Sequence, residues 1–385
     1  MKVPLYRHNL HGADIDALGE EFKQVLRGMV LSTGSVCEEM QTEFAKALEI
    51  EHCLLTNNWT NATIATLLAL GIGPGDEVII PALTFSATAN AIEAVGATPV
   101  LIDVDAKTHL MKIPDVTMAT TDRTKAIMPV HLYGQMVDIE ALQLYASPHL
   151  FILEDAAHAI EATHRHKRPG HFSDAAMFSF YTSKNITTGE GGALITNNEE
   201  LLEKVRIIYR HGISSDGYKL MKTDKWQMPE QVTQGIKGNM SDLTALLLRP
   251  QLANLSQSHA KRTAHAKRYL RELKGLPITL PFVDPGGVHA WHIFAIGVDS
   301  NMRPSIISML DEMGIRTAVQ FKPIHHQQYY GEKYGWDPRL FPNASKWGAS
   351  TLSLPVFADM TDDEQTYVID CLRLVLSRLG YEVLF

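Results

Sequence analysis

The sequence predicts an α/β protein: a mostly parallel seven-stranded sheet covered by helices, followed by a smaller C-terminal α/β domain. Three observations carry that expectation. Short apolar runs alternate with stretches of helical spacing through the first half of the chain. The runs are nearly continuous rather than alternating with polar residues, as strands buried on both faces are. Beyond Asp242 the pattern changes to long helices and then to a mixed region. A chain of 385 residues, 45% hydrophobic, can bury two such cores, and we place the domains at 1–250 and 251–385.

Residues 14–28 have helical spacing through Ile15, Leu18, Phe22, Val25 and Leu26, with Gly28 as the stop. A turn-rich Leu31 to Ser35 follows, then an amphipathic helix through Met40, Phe44 and Leu48. The seven expected strands are Cys53 to Thr56, Glu77 to Ile80, Thr98 to Asp103, Lys125 to Val130, Leu150 to Glu154, Ala175 to Phe180 and Ala193 to Thr196. Helices to Leu70 and from Ser86 to Val95 fall between the early ones. In the C-terminal part we expect helices at Leu243 to Leu255, Ala260 to Leu273, Ser305 to Met313 and Asp362 to Leu379. Strands are expected there at His292 to Val298 and Arg316 to Phe321.

Composition narrows the function. A net charge of −8 argues against a non-specific nucleic-acid binder, which needs a basic face. Three widely separated cysteines (Cys37, Cys53, Cys371) suit a reducing compartment, where they serve as buried apolar residues. The N-terminal MKVPLYRHNL lacks the apolar core of a secretion signal, and no stretch is apolar for the ~18 residues of a membrane span. We expect a cytoplasmic protein with no membrane or nucleic-acid partner and no metal.

Within this frame one lysine stands out. Lys184 lies just past the Ala175 to Phe180 strand, and the Gly-Glu-Gly-Gly turn at Gly189 to Gly192 folds the chain back as a hairpin. Most lysines are solvated surface charges. An amine held against a sheet is partly desolvated, however, and that is what a nucleophilic, Schiff-base lysine requires. Ligands of such sheets bind beyond the carboxyl ends of the strands. Asp155, Thr84 with Phe85, and Asn58 to Thr60 each follow a strand and are expected to converge there with Lys184.

The run FSFYTSKNITTGEGG around Lys184, EDAAHA from Glu154 to Ala159, and GIGPGDEVIIPALTFSATANAI from Gly71 to Ile92 occur in a fixed order. By these the chain resembles the DegT/DnrJ/EryC1/StrS aminotransferases, from about Val3 to about Asp370. The resemblance implies the type I fold of pyridoxal-phosphate-dependent transferases and the cofactor pyridoxal 5'-phosphate. It further implies an amino donor, taken to be L-glutamate with 2-oxoglutarate as product, and a nucleotide-linked keto sugar as acceptor. A homodimer with shared active sites is implied as well.

The resemblance assigns Lys184 as the catalytic amine. It gives Asp155 as the partner of the cofactor's ring nitrogen, although aspartate there could equally be a helix N-cap. His158 stands beside the phenolic oxygen, Phe85 stacks on the ring, and Ser179 binds phosphate. Asn239 matches an asparagine that reaches the neighbouring subunit's phosphate, and as a turn residue before a capped helix it is also sound. Asn58, Trp59 and Thr60 occupy the phosphate loop, where relatives usually have Ser-Gly-Thr. Thr60 and Asn58 keep polar side chains, whereas the Trp59 indole either crowds the phosphate or faces the substrate. For the sugar, Tyr181, Lys322 and His325 are candidates, ordinary loop residues being the competing reading. Gln320 replaces a common His, and Ser32 to Gly34 carry less weight.

The alternatives to amino transfer are a sugar dehydratase of the same family and a non-catalytic regulator on this scaffold. The best-known dehydratases have His in place of the lysine, so Lys184 speaks against the first.

Overall fold

All seven apolar runs become strands of one sheet. The computed structural model describes residues 1–8, 10–214 and 229–383 of the chain. In chain order the first strands are β1 (His52–Thr56), β2 (Glu77–Pro81), β3 (Thr98–Ile102), β4 (Thr124–Ile127) and β5 (Phe151–Asp155). A two-residue β6 (Thr163–His164) precedes β7 (Ala175–Ser179) and β8 (Gly192–Thr196). The order across the sheet is β1-β8-β7-β5-β4-β2-β3, and only β8 runs against the others.

Alternation of side chains sends successive residues to opposite faces, and two separate cores result. Leu54, Ala175, Met177 and Leu194 join one core, while Cys53, Leu55, Ala176, Phe178, Ala193 and Ile195 join the other. Helices on both faces complete the burial, which is why β2 and β8 are buried along their whole length. A third core gathers Val3, Phe294, Ile296, Leu310, Leu352 and residues of the terminal helix Asp362–Arg378. That helix starts at a capping box in which Thr361 and Glu364 satisfy one another's N–H groups.

Two sequence expectations need correction. Leu243 to Leu255 is not one helix; Asp242–Ala245 and Leu248–Ala253 are separate, and a long helix then runs over Leu255–Glu272. Pro250 explains the break, since it has no N–H for the Leu246 carbonyl and its ring would clash with it; restarting at Leu248 puts the proline in a first turn, where no such bond is needed. Arg316 to Phe321 forms no strand. Its backbone is shared among three partners: Arg316 N–H donates to Val3, Ala318 exchanges bonds with Ser353, and the Tyr133 hydroxyl donates to the Gln320 carbonyl. Thr351–Leu354 pairs instead with Phe294–Gly297, the strand expected within His292 to Val298.

Candidate active site

The carboxyl ends of β1, β2, β4, β5 and β7 open on one cavity of about 410 Å³. Asn58, Trp59, Thr60, Phe85, Asp155, His158, Ser179, Tyr181 and Lys184 all line it. Each lies at the end of a strand or in the segment that follows one, so the sheet's topology sets their convergence.

Asp155 ends β5 and is buried. Its Oδ1 accepts the Ala157 N–H at 3.1 Å and its Oδ2 accepts the Thr88 hydroxyl at 3.0 Å, with Thr84 and Thr88 hydroxyls 2.8 Å apart. A turn, not a helix, follows Asp155, so the N-cap role is absent. Burial raises this carboxyl above its ordinary value, and the Ala157 N–H, Lys184 and Thr88 oppose that rise.

Lys184 sits in the loop that joins β7 to β8. Main-chain bonds hold the loop: Lys184 N–H to Tyr181 at 2.9 Å, Phe180 N–H to Gly191 at 2.8 Å, and Thr188 N–H to Phe180 at 3.0 Å. Desolvation pushes the Lys184 amine down to about 8, and Asp155 opposes it. About a tenth of the amine is therefore uncharged at pH 7, against roughly one part in three thousand at the ordinary value, which favours a nucleophile.

The helix Trp59–Ala69 points its N-terminus at the same cavity. Asn58 caps it, its side chain accepting the Asn61 N–H at 2.7 Å, which leaves the N–H groups of Trp59 and Thr60 without intrahelical partners. Gly192 lies opposite both Thr56 and Ser179 in the sheet register. The helix start rests directly on it, beside Ser179. Trp59 is buried and packs in the first core, with no partner for its indole nitrogen among the described residues. Free N–H groups, a threonine hydroxyl and Ser179 form a cup suited to a phosphate.

His158 is buried, and its Nδ1 accepts the Tyr133 N–H at 3.2 Å. The ring proton therefore sits on Nε2 as a donor. Burial, Lys184 and His292 hold the ring well below its ordinary value and so neutral. Phe85, 57% exposed at the mouth, lies 5.5 Å from Phe321 with the rings tilted by 46°.

Three sequence candidates lie elsewhere. Lys322 is exposed and off the cavity wall. His325 turns inward, its Nε2 2.8 Å from the Ser345 hydroxyl and its ring against Phe341. Asn239 donates to the hydroxyls of Ser32 and Thr33 at 2.8 and 2.9 Å and does not line its own chain's cavity. Conversely, Thr88, Glu190, His292 and Phe321 line the cavity without having been singled out from sequence. Thr88 carried a usable signal, falling one helical turn after Phe85. His292 carried none, because it reads as the start of an apolar strand.

Known proteins resemble the chain along nearly its whole length. The model of the DegT/DnrJ/EryC1/StrS aminotransferase family matches residues 14–373. The spore coat polysaccharide biosynthesis protein SpsC of Bacillus subtilis (strain 168) is 40% identical over 365 residues, covering 93% of this chain and 94% of that protein. The crystal structure of S. venezuelae DesV in complex with a ketimine intermediate superposes with a TM-score of 0.88 at 34% identity, covering 97% of this chain and 98% of that one. NtdA of Bacillus subtilis with bound cofactor PMP gives 0.85 at 30% identity, over 96% of this chain and 83% of that one. The chain belongs to the DegT/DnrJ/EryC1/StrS aminotransferase family and is a pyridoxal-phosphate-dependent enzyme.

Proposed function

We propose that this enzyme moves an amino group from L-glutamate to the keto group of a nucleotide-linked deoxy sugar. The observation that carries the reading is the pairing of Lys184 and Asp155 on one cavity, each displaced from its ordinary titration by burial and each acting on the other. The similarity to a polysaccharide biosynthesis protein supports a sugar acceptor.

The residues fit the cofactor. Asn58, Trp59 and Thr60 at the helix start, with Ser179, would hold the phosphate; Asp155 would face the ring nitrogen, His158 the phenolic oxygen, and Phe85 one ring face. Bound there, pyridoxal phosphate supplies an aldehyde that takes up the amino group and a protonated ring that stabilises a carbanion. Lys184 would anchor the cofactor through its amine, give way to the incoming donor, and then serve as the base and acid that moves the proton. His158 donates through Nε2 and Asp155 stays ionised beside a positive ring. Tyr181, 47% exposed at the rim, is placed for the sugar. We assign Asn239 to the neighbouring subunit's phosphate cup, which makes the active unit a homodimer in the cytoplasm. Trp59, buried in the core beneath a capped helix start, gives no support to the non-catalytic alternative.

The test is to supply glutamate with a panel of nucleotide-linked 4-keto and 3-keto hexoses and follow 2-oxoglutarate. Release with one or more of them is expected; none with any sugar, while the protein still binds pyridoxal phosphate, overturns the acceptor.

Capture of pyridoxal phosphate by the cofactor-free protein should depend on pH. The nucleophile is the neutral amine, so the capture rate should climb as pH rises through about 8 and level off above it. Stopped-flow absorbance gives the profile, and a flat one between pH 6 and 10 contradicts the lowered amine. The cup can be tested separately. At Gly192 a Cβ would lie 2.7 Å from the Asn58 carbonyl carbon and the Trp59 nitrogen, and 2.8 Å from the Phe178 carbonyl oxygen. Backbone on every side has to shift, so Gly192→Ala should cost about 1–3 kcal/mol. Thermal unfolding should show the loss, with a smaller stabilisation by added cofactor than in the wild type.

A further inference from the structure

Beside the main cavity lies a second of about 40 Å³, and Lys184, His292 and Gln320 line both. The wall of this annex carries three cationic side chains, Arg7, Lys184 and Arg262, and no aspartate or glutamate among the described residues. In a chain of net charge −8 that is an uneven distribution. Both arginines have acidic partners, Glu161 for Arg262 and Glu364 at 2.7 Å for Arg7, but neither acid reaches the annex wall. Burial, Lys184 and Arg262 together hold His292 well below its ordinary value, so the imidazole stays neutral and adds no charge of its own.

Three buried polar atoms on this wall, Arg262 Nε, Ser353 Oγ and Gln320 Oε1, have no hydrogen-bond partner among the described residues. Arg262 and Ser353 are only 3% and 1% exposed. Buried donors almost always have an acceptor. Two such donors on one cationic pocket therefore call for an acceptor that the chain does not supply. Gln320 can add a third, because turning its amide about exchanges oxygen for NH₂. Ser353 is held through its main chain, which exchanges bonds with Ala318, and its hydroxyl is left for another use.

We infer that this annex binds a carboxylate of the amino donor, which accepts from Arg262 Nε–H and Ser353 Oγ–H beside the charge of Arg7. The inference rests on amino transfer taking place at Lys184. A buried water needs ~10–15 Å³ of such space, so 40 Å³ takes roughly three atoms, a carboxylate and not the diphosphate of a nucleotide sugar. An α-amino acid carries its amine and a carboxylate on one carbon. A donor reacting at the place of the Lys184 amine thus has a carboxylate next to a pocket that Lys184 itself borders. One active site must accept an amino acid and a far larger sugar in turn. Recognising the donor's charge in a side pocket leaves the main cavity to the acceptor.

The first measurement needs no turnover. Glutarate has two carboxylates and no amine or keto group, and calorimetry can follow its binding to protein loaded with pyridoxamine phosphate. Wild type should bind it. Ser353→Ala removes a hydroxyl with no partner in the protein, and Arg262→Lys keeps a charge beside Glu161 while losing the Nε–H. Each should weaken glutarate about tenfold, the loss of one hydrogen bond to a charged group, and Ser353→Ala should unfold at the wild-type temperature. The second measurement separates the substrates. In stopped-flow half-reactions both variants should lose affinity for glutamate by the same factor, while half-saturation by the keto sugar stays within about threefold. A wild type that binds no glutarate, or unchanged affinity in both variants, overturns the proposal and leaves a pocket for water only. Equal losses for glutamate and sugar overturn it in favour of the acceptor's diphosphate. Glutarate binding as expected in a protein that aminates no nucleotide-linked sugar would remove that acceptor and leave the donor site standing.

Discussion

Lys184→Ala should lose essentially all turnover while keeping its fold and its affinity for pyridoxamine phosphate. Proton transfer by a positioned group alone is worth ~10²–10⁴ in rate, and here the same amine also serves as the point of covalent attachment. The loop around it is held by the main-chain bonds of Phe180, Lys184 and Thr188, none of which uses the side chain. An unchanged circular dichroism spectrum and a single cooperative unfolding transition should therefore report an intact protein. Stability carries a second signature. The folded-state amine titrates near 8 against an ordinary 10.5, so between those values the unfolded chain binds the extra proton and wild-type stability rises with pH. Below about pH 8 the buried charge is a standing cost. Lys184→Ala should lack that upward slope and, in the cofactor-free form, unfold at a higher temperature than wild type at pH 7. Residual turnover above about a hundredth of wild type, well beyond what loss of both roles permits, would remove Lys184 from the chemistry.

How far the sequence revealed these features depends on whether local pattern or distant partners decide the structure. The seven sheet strands were legible because residues buried on both faces leave short apolar runs bounded by turn signals. Arg316 to Phe321, with Ala318, Val319 and Phe321, was read as another strand, but Val3, Ser353 and Tyr133 claim its backbone groups one at a time, and no local pattern announces that. Leu243 to Leu255 was misread although the signal, Pro250, was visible. In the site, Lys184, Asp155, Ser179 and the Asn58 to Thr60 segment could be placed because each ends or closely follows a strand of the same sheet. His325 could not, because the short turn at Ile324–His326 rotates it onto Ser345 instead of the cavity. The hydrogen-bonding sense of His158 was beyond reach, since it is set by Tyr133 from another part of the fold.

Asp155→Asn separates charge from shape. The asparagine oxygen can still accept the Ala157 N–H, and its NH₂ can donate to Thr88, whose own proton then passes to Thr84 at 2.8 Å. What disappears is a single negative charge facing the position of the cofactor's ring nitrogen. Without it the ring nitrogen of a bound cofactor would lose its anionic partner, and the ring would be a weaker electron sink. Electrostatic groups aimed at developing charge are worth ~10²–10³ in kcat, and a drop of at least that size is expected. The cofactor-free variant should behave in the opposite way. Burial raises the folded-state pKa of Asp155, so between the ordinary carboxylate range and that raised value the folded protein binds more protons than the unfolded chain, and stability falls as pH rises. At neutral pH the buried carboxylate is thus a net cost when no positive ring faces it. Asp155→Asn without cofactor should melt higher than wild type at pH 7, with the gap closing as the pH is lowered below the ordinary aspartate value. On adding pyridoxal phosphate the order should reverse, because only the wild type gains a charge partner. Activity within tenfold of wild type, or a cofactor-induced rise in melting temperature as large in the variant as in the wild type, would show that Asp155 does not face the ring.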